Sequence, residues 1–340
     1  MEDVIGILCE TDVGLRTAEY FATTLNLRTS NGVNEARRDK YMMMEILKQN
    51  NLSYIHQILT DQWEEARKFI EHVLGGYPVV IKPSRGSGSR DVYKCVNASH
   101  AKHVFNKILG IPGYANNTVT DAILVQQFVD GTEYVVDVAS SDMDHKIVGL
   151  WRHDKRDVGD VAFVYHCSEI LPHTNTDVCN SLCEYAITVI EALGVKFGPS
   201  HLEIKIDNKT KKPVLIEANI GRLHGLDIIG LSNIAYGYNF AEATIHAYLD
   251  KYTHPIGKDK YTKPHQLRSS SHIHHHKNSR WENFPPRVPS HLRMFARLAH
   301  LVNSRKSGFL LREKQEIRRK IEKLDSMLGM QSHTYPIFHH

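Results

Sequence analysis

A loop rich in glycine and serine stands between two short apolar runs, and this arrangement limits the folds open to the chain. The runs are Pro78–Lys82 and Asp91–Val96, both of strand length. Because the loop leads into no helix, it matches neither the P-loop nor the dinucleotide-binding motif. Glycine lets backbone N–H groups approach phosphate oxygens, and serine adds hydroxyl donors. The candidate phosphate-binding residues are Gly86, Ser87, Gly88 and Ser89; a merely flexible loop is the alternative.

Lys82 ends the first of these runs, after the apolar residues Val79, Val80 and Ile81. This position predicts burial, and a buried ammonium without a partner is costly. A nucleotide phosphate held by the neighbouring loop would provide the missing negative charge. An internal ion pair with a carboxylate is the alternative explanation.

Two glutamates lie on predicted strands that a polar hairpin joins. Glu203 belongs to the strand Leu202–Ile206, and Glu217 ends the strand Pro213–Glu217. Their carboxylates can therefore converge, and Asn219 adds an amide oxygen two residues further on. Oxygen ligands of this kind suit Mg²⁺ that bridges phosphates. The alternative is a hairpin that carries unrelated surface acids.

The remaining pattern predicts a mixture of helices and strands, in which the opening strand and helix match one unit of an α/β fold, the class that the resemblance described below also implies. The predicted helices cover Leu15–Leu27, Ala36–Gln49, Gln62–Leu74, Asp177–Leu193 and Asn239–Leu249. Further strands are predicted at Val4–Cys9, Ala122–Val129, Glu133–Ala139 and Lys146–Trp151. A tight turn at Asp130–Thr132 is expected to join the second and third of these strands.

The charge distribution and composition limit the classes of partner that the chain can have. Residues 251–340 hold 18 Lys and Arg against 6 Asp and Glu, which suggests either a nucleic-acid contact or a solvated helix and loops. Glutamates interleaved along the predicted helix Leu311–Leu328 favour the solvated helix, so we expect no nucleic-acid partner. The histidines at 272 and 274–276 have no carboxylate or cysteine nearby, which favours a solvated loop over a metal site.

The chain has no apolar run of the ~18–20 residues that a membrane helix needs, so we expect no membrane partner. Its first residues lack the basic start and apolar stretch of a signal peptide. The five cysteines show no repeated metal-ligand spacing. We therefore expect a cytoplasmic protein with reduced thiols.

Gln126–Val129, followed by Gly131-Thr132-Glu133, completes a series of motifs in a fixed order. The order of these motifs resembles the ATP-grasp superfamily. A lysine and the Gly/Ser loop come first, a strand with Gly-Thr-Glu follows, and Glu…Glu-x-Asn comes last, so that the resemblance extends from about Arg37 to Gly225. Within it, the chain resembles the carboxylate–amine ligases that join amino acids, including bacterial L-amino-acid ligases and carnosine synthase. The stretches that carry this second resemblance are Ala36–Tyr41, Trp151–Arg156, Gly198–Glu203 and Arg222–Gly225.

The resemblance implies an ATP-grasp fold with ATP and Mg²⁺, or Mn²⁺, between two α+β lobes. The residues implied at the nucleotide are Lys40, Lys82, Gly86, Ser87, Gly88, Ser89, Gln126, Gln127, Phe128, Val129 and Glu133. In this set the lysines and the loop hold phosphates, residues 126–129 line the adenine, and Glu133 binds the ribose. The implied metal ligands are Glu203, Glu217 and Asn219. The implied catalytic residues are Arg222 for an acyl phosphate, His201 as a donor to phosphate, and Lys155 for a substrate carboxylate.

The implied function is an ATP-dependent ligase that joins a carboxylate to an amine through an acyl phosphate, releasing ADP and phosphate. Its partners would be small molecules, with amino-acid or dipeptide-type substrates, and a homodimer is compatible with the resemblance. The alternatives are an ATP-grasp ligase with other substrates and a truncated, non-catalytic nucleotide-binding paralogue. Two features depart from the family pattern. Gln126 stands where the family often has glutamate, and Arg222 follows Glu217 by five residues instead of the usual four.

The same resemblance predicts the domain organisation. Residues 1–35 are expected to be the remnant of an N-terminal α/β domain, and residues 36–250 the ATP-grasp domain. Within that domain, 37–135 form the first lobe with the Gly/Ser loop, and 136–250 form the metal-binding lobe. Residues 251–290 are expected to be a linker, and 291–340 an incomplete C-terminal subdomain.

Overall fold

A computed structural model of the chain describes residues 4–9, 12–86, 90–112, 119–158, 161–172, 176–223 and 226–249. The helices are α1 (Asp12–Thr24), α2 (Lys40–Gln49), α3 (Trp63–His72), α4 (Ala98–Ile108), α5 (Asp177–Ala192), α6 (Leu226–Tyr236) and α7 (Phe240–Tyr248), with a short 3-10 helix at Glu35–Arg37. The strands are β1 (Gln57–Thr60), β2 (Val79–Pro83), β3 (Tyr93–Cys95), β4 (Ile123–Gln127), β5 (Gly131–Ser141), β6 (Asp144–Val158), β7 (Val161–Ile170), β8 (Gly198–Asp207) and β9 (Pro213–Ile220). The predictions for Ser87, Gly88 and Ser89, for the histidine-rich linker and for the C-terminal subdomain lie outside the described residues.

The strands form two antiparallel sheets with a helical layer on each. The first sheet has the order β1-β4-β2-β3, and the second has the order β7-β6-β5-β8-β9. The chain passes from the first sheet to the second between Gln127 and Gly131. The two predicted α+β lobes are therefore confirmed, and a short crossover joins the last strand of the first sheet to the first strand of the second.

Helices α3 and α4 cover the first sheet. On α4 the buried residues Ala101, Val104, Phe105 and Ile108 recur at helical spacing and pack on the apolar side chains of the sheet. Asn97 caps this helix, because its side chain accepts a hydrogen bond from the backbone N–H of His100. The first lobe thus has an apolar core of its own.

The second sheet is packed on both faces. Helix α5 and helix α2 share one core with its inner face, to which α2 contributes Met43, Met44 and Leu47. Helices α6 and α7 contribute to a second core on part of the opposite face, together with Trp151. Helix α2 precedes the first sheet in sequence but packs on the second. Its first residue, Lys40, therefore lies where the two lobes meet.

Two of the predicted elements are wrong. Residues 4–9 form no strand, and Val4, Ile5 and Leu8 are exposed. An apolar run becomes a strand only when a neighbouring strand takes up its backbone hydrogen bonds, and no described strand pairs with this segment. The expected hairpin at Asp130–Thr132 is also absent, because β4 and β5 pair with different strands in different sheets.

Four elements escaped the sequence analysis. Strand β1 has only four residues, and β7 lacks the strict alternation of a half-buried strand. Helix α4 carries a polar first turn, and the weak amphipathic pattern of α6 does not distinguish helix from strand. None of the described helices is long and apolar enough to span a membrane.

Candidate active site

A cavity of about 380 Å³ lies between the two sheets. Its lining includes nearly all of the described residues that the sequence analysis assigned to a site, namely Lys40, Lys82, Gly86, Gln126, Gln127, Phe128, Val129, Glu133, Lys155, Glu203, Glu217, Asn219 and Arg222. These residues come from α2, from two strands of the first sheet and four of the second or their ends, and from the crossover. Residues more than 180 positions apart in sequence therefore face one space. His201 is the described site residue that does not line it.

The two candidate metal-binding carboxylates face each other across neighbouring strands. Glu203 of β8 pairs directly with Glu217 of β9, and Asn219 lies two residues further along β9. The register shifts next to this pair, which leaves Ile216 as an extra residue on β9. Both Ile216 and Glu217 line the cavity. The convergence of Glu203, Glu217 and Asn219 is thus a property of the strand register.

This donor set is chemically suited to a hard divalent cation. It consists of two carboxylates and one amide oxygen on one wall of the cavity, the ligand type that Mg²⁺ and Mn²⁺ prefer. Within the described ranges no three His, Cys, Asp or Glu side chains gather as a metal-binding group. Ligands from a bound phosphate would therefore have to complete the coordination.

Lysines neutralise both carboxylates. The Nζ atom of Lys40 lies 2.8 Å from Oε1 of Glu217 and donates a hydrogen bond to the carbonyl oxygen of Gly86 at 2.8 Å. The Nζ atom of Lys155 lies 3.0 Å from Oε2 of Glu203 and also contacts Glu133. Burial would lower the pKa of Lys155, but the two carboxylates outweigh it and raise this pKa well above its ordinary value. Lys155 is therefore an internal counter-ion of Glu133 and Glu203, and its expected role with a substrate carboxylate stays a prediction.

Lys82 has a different environment from these two lysines. It is buried on β2, and it forms neither a hydrogen bond nor an ion pair with any residue of the described chain. Burial, followed by repulsion from Lys40, lowers the pKa of its ammonium to about 8. The internal ion pair considered in the sequence analysis is absent here, so an anion that enters the cavity would meet an ammonium still available for pairing.

The far end of the cavity is an apolar slot with aromatic walls. The ring centroids of Phe128 and Phe163 are 6.4 Å apart, and Nζ of Lys205 lies 5.4 and 5.7 Å from them. Val80 and Val92 complete the slot. Such a slot accommodates a flat heteroaromatic base.

Gln126 lines the cavity, and its expected contact with the adenine stays a prediction. Its side chain is buried, and its Nε2 donates a 2.9 Å hydrogen bond to Oε1 of Gln57. The side-chain amide therefore connects β4 to β1.

Phe163, which the sequence analysis missed, adopts a φ of 61°, a rare conformation for a bulky residue. No sequence pattern reveals that backbone conformation.

His201 lies behind the cavity wall and pairs with Asp137 on β5. Its Nδ1 is 2.9 Å from Oδ1 of Asp137, whose Oδ2 accepts a 2.9 Å hydrogen bond from Nε1 of Trp151. Its Nε2 lies 3.9 Å from Oε1 of Glu203. Burial opposes protonation of the imidazole, but the hydrogen bond with Asp137 and the negative charges of Asp137 and Glu203 raise its pKa to about 9. His201 therefore supports Glu203 electrostatically, and its expected contact with phosphate stays a prediction.

The Asp137–Trp151 pair needs a glycine beside it, which provides a test of this network. A Cβ atom on Gly149 would lie 2.9 Å from Oδ2 of Asp137 and 3.0 Å from Nε1 of Trp151. We expect Gly149→Ala to lower the free energy of unfolding by about 1–3 kcal/mol, because both groups would have to shift in a packed interior. Thermal denaturation of the purified variant measures this loss, and an unchanged melting temperature would contradict the stated geometry.

Arg222 follows β9 through Gly221, whose φ of 84° turns the chain. The guanidinium lines the cavity and lies 2.9 Å from Oδ2 of Asp12 on α1. The five-residue spacing between Glu217 and Arg222 therefore still brings both side chains to the same space. Helix α1, to which the sequence analysis assigned no site residue, thus contributes Asp12 to the edge of the cavity.

Comparison with known sequences agrees with this geometry. Residues 75–229 match the ATP-grasp domain family. Dapdiamide A synthase from Enterobacter agglomerans is 26% identical over 249 residues, which cover 71% of this chain and 56% of that protein. The carbamoyl phosphate synthase large chain of Clostridium acetobutylicum is 28% identical over 167 residues, 46% of this chain and 14% of that protein. The chain thus spans about half the length of the first of these relatives.

Solved structures with the same fold include an L-amino acid ligase from Bacillus licheniformis, with a TM-score of 0.55 and 20% identity. That comparison covers 72% of this chain and 56% of the ligase. A biotin carboxylase from Campylobacter jejuni matches with a TM-score of 0.54 and 17% identity, over 69% of this chain and 52% of that one. At these identities the likeness concerns the fold. The chain therefore contains an ATP-grasp domain, and it is similar to the carboxylate–amine ligases of that superfamily.

Proposed function

We propose that this protein is an ATP-dependent ligase that joins a carboxylate to an amine. The observation that carries the proposal is the meeting of Glu203, Glu217 and Asn219 with Lys40 and Lys82 around one cavity between the lobes. Oxygen ligands and ammonium groups around one cavity form an environment suited to a metal–triphosphate complex. The adjoining aromatic slot would hold the base.

In this proposal ATP lies with its adenine against Phe128 and Phe163 and its phosphates toward the carboxylate pair. Lys82 supplies a buried ammonium that forms no ion pair within the described residues, although Glu217 and Glu203 lie near enough to favour its charged form. Lys40 is held at the Gly/Ser loop by its bond to Gly86 and lies beside Glu217. Glu203, Glu217 and Asn219 would hold Mg²⁺ or Mn²⁺, which when bound neutralises charge on the phosphates. Lys155 and His201 fix Glu203 from behind.

The reaction would proceed in two displacements. First, a substrate carboxylate oxygen forms a bond to the γ-phosphorus, the bond to the bridging oxygen breaks, and ADP leaves. Next, the nitrogen of a neutral amine forms a bond to the acyl carbon, phosphate leaves with the C–O electron pair, and the nitrogen releases a proton to solvent. Lys82, Lys40 and Arg222 would stabilise the negative charge that moves during both steps. Their contribution is positioning and electrostatic stabilisation.

Amino acids or small peptides are the substrates we propose. The similarity to dapdiamide A synthase and the fold shared with an L-amino acid ligase support this choice. Because each similarity covers only part of those proteins, the activity of the whole protein remains part of the proposal.

The test of the proposed function is amino-acid-dependent release of phosphate from Mg·ATP. The purified full chain would be incubated with pooled L-amino acids, and each active pool would then be resolved into its members. We expect phosphate release in certain pools only, together with a product whose mass equals that of the two substrates less one water. Binding of Mg·ATP without release in any pool would contradict ligase activity on amino acids and favour a nucleotide-binding protein.

A further inference from the structure

A second cavity of about 460 Å³ adjoins the first. The two share Lys40, Gly86, Glu217 and Asn219 in their linings, so they meet beside Glu217 and Asn219 and away from the aromatic slot. The walls that belong to the second cavity alone come from α1, the 3-10 helix, β1 and the approach to β4. The chain thus provides two connected spaces that meet at the candidate metal ligands.

The direction of phosphoryl transfer gives this second cavity a purpose. The attacking oxygen and the leaving ADP oxygen lie roughly in line on opposite sides of the γ-phosphorus. If ATP fills the first cavity with its base in the aromatic slot, the attacking group must arrive from the side of Glu217 and Asn219. The second cavity opens on that side. This step rests on the proposed function.

The edge of the second cavity carries ion pairs that a charged ligand can replace. Arg16 and Arg85 both pair with Glu35, with N–O distances of 2.9 and 3.3 Å. The arginine side chains are 46% and 56% exposed, and exposed pairs of this kind contribute little to stability. Nε of Arg85 also lies 3.0 Å from Oδ2 of Asp39. Arg85 lines both cavities, whereas Glu35 and Asp39 line only the second. The guanidinium of Arg85 therefore lies where the two cavities join, and the carboxylate of Glu35 lies in the outer part of the second cavity.

The inner wall of the second cavity is apolar. Leu15, Met43, Leu59 and Ala122 contribute to its lining. Leu59 lies on β1, and Met43 lies on α2 between the lobes. A ligand that fits all of these features has a carboxylate near Arg85, an ammonium near Glu35 and an apolar side chain.

We propose that the second cavity binds the acyl-donating substrate, an α-amino acid with an apolar side chain, and that Glu35 selects it through its ammonium group. The substrate carboxylate lies at the junction beside Arg85, and its side chain packs on Leu59 and Ala122. Glu35 is then a specificity-determining residue. A carboxylic acid that lacks an α-amino group brings no ammonium to pair with the carboxylate of Glu35, so it should bind more weakly.

The test compares Glu35→Gln with the wild-type protein and with Glu71→Gln. Glu71 is a matched control because it also pairs with an arginine, Arg67, but lies on α3 away from both cavities. The probes are L-alanine, L-leucine and their des-amino acids propionate and 4-methylpentanoate. The melting temperature, measured with Mg²⁺ and a non-hydrolysable ATP analogue, reports binding of each acid without turnover. The rate of phosphate release at increasing concentrations of each acid gives its KM.

We expect L-leucine to raise the melting temperature of the wild-type protein and of Glu71→Gln, and 4-methylpentanoate to leave it unchanged. Glu35→Gln should bind the ATP analogue as the wild type does, lose the response to L-leucine, and raise the KM for it at least tenfold. A Glu35→Gln variant that responds normally overturns this site while leaving the proposed function intact. No phosphate release by the wild-type protein overturns the proposed function, and the melting experiment still decides the site.

A second variant tests the apolar wall without altering charge. Leu59→Trp adds volume to the second cavity alone. We expect it to abolish the response to L-leucine while keeping that to L-alanine, with ATP-analogue binding unchanged. Equal responses to both amino acids in this variant would place the amino-acid side chain elsewhere and overturn the proposal.

Discussion

Replacing Glu217 with glutamine is expected to lower phosphate release by about 10²–10³-fold, the range seen when one electrostatic contact to a developing charge is removed. Glutamine keeps the size of the side chain but removes the negative charge opposite Glu203. It also leaves the buried ammonium of Lys40 without its carboxylate, so a modest loss of stability should accompany the loss of activity. Steady-state phosphate release measures the first effect, and thermal denaturation measures the second.

Glu169→Gln is the matched control for this experiment. Glu169 pairs with Arg152 and is similarly buried, 16% exposed compared with 22% for Glu217, but it lies outside the cavity. The control should keep its turnover while losing a comparable amount of stability. Mn²⁺ binding in the presence of ATP, followed by electron paramagnetic resonance, should weaken only in Glu217→Gln. Normal turnover and Mn²⁺ binding in Glu217→Gln would show that the metal ligands are elsewhere.

Replacing Lys82 with methionine is expected to stabilise the nucleotide-free protein while weakening ATP binding by about 10- to 100-fold. The pKa of Lys82 falls from 10.5 to about 8 on folding, so the unfolded chain binds more protons between these pH values. The destabilisation by Lys82 is fully present below about pH 8 and disappears as the pH rises toward 10.5. At roughly 1.4 kcal/mol per pKa unit, the gain in Lys82→Met should be about 1–3 kcal/mol at pH 7.

The control for this prediction is Lys68→Met, which removes an exposed lysine from α3. Denaturant unfolding at pH 7 and pH 10.5 should show a gain for Lys82→Met that shrinks at the higher pH, and little change for Lys68→Met. Calorimetry near pH 8.5 in two buffers should detect proton uptake when the wild-type protein binds ATP. A Lys82→Met variant that is less stable at pH 7 would mean that Lys82 has an internal partner and is not held for an anion.

The convergence of the two glutamates could be predicted from the sequence because it depends on local pairing. A short polar loop joins two strands, so the strands pair in antiparallel order and bring the two glutamates to the same part of the hairpin. Counting alone would place Glu203 opposite Ile216, and the bulge at Ile216 makes Glu217 its direct partner. The burial of Lys82 followed from the apolar residues before it, and its lack of a described partner agrees with the need for an external anion.

Other features depend on contacts between segments far apart in sequence. The ion pairs of Lys155 with Glu133 and Glu203 join three strands, and the contact between Arg222 and Asp12 joins residues 210 positions apart. His201 has a side chain suited to phosphate, but the strand order of the second sheet brings it beside Asp137. No local pattern specifies such neighbours.

The sequence by itself determined which residues carry charge at strand ends, which strands form the hairpin with the two candidate metal ligands, and which family the motifs resemble. These are consequences of local propensity, burial periodicity and short loops. Only the tertiary structure decided that β4 and β5 belong to different sheets and that α2 packs on the sheet formed later in the chain. The same packing brings the 3-10 helix and β1 together around a second cavity. These arrangements depend on which apolar faces bury each other, and that choice is settled by the whole core at once.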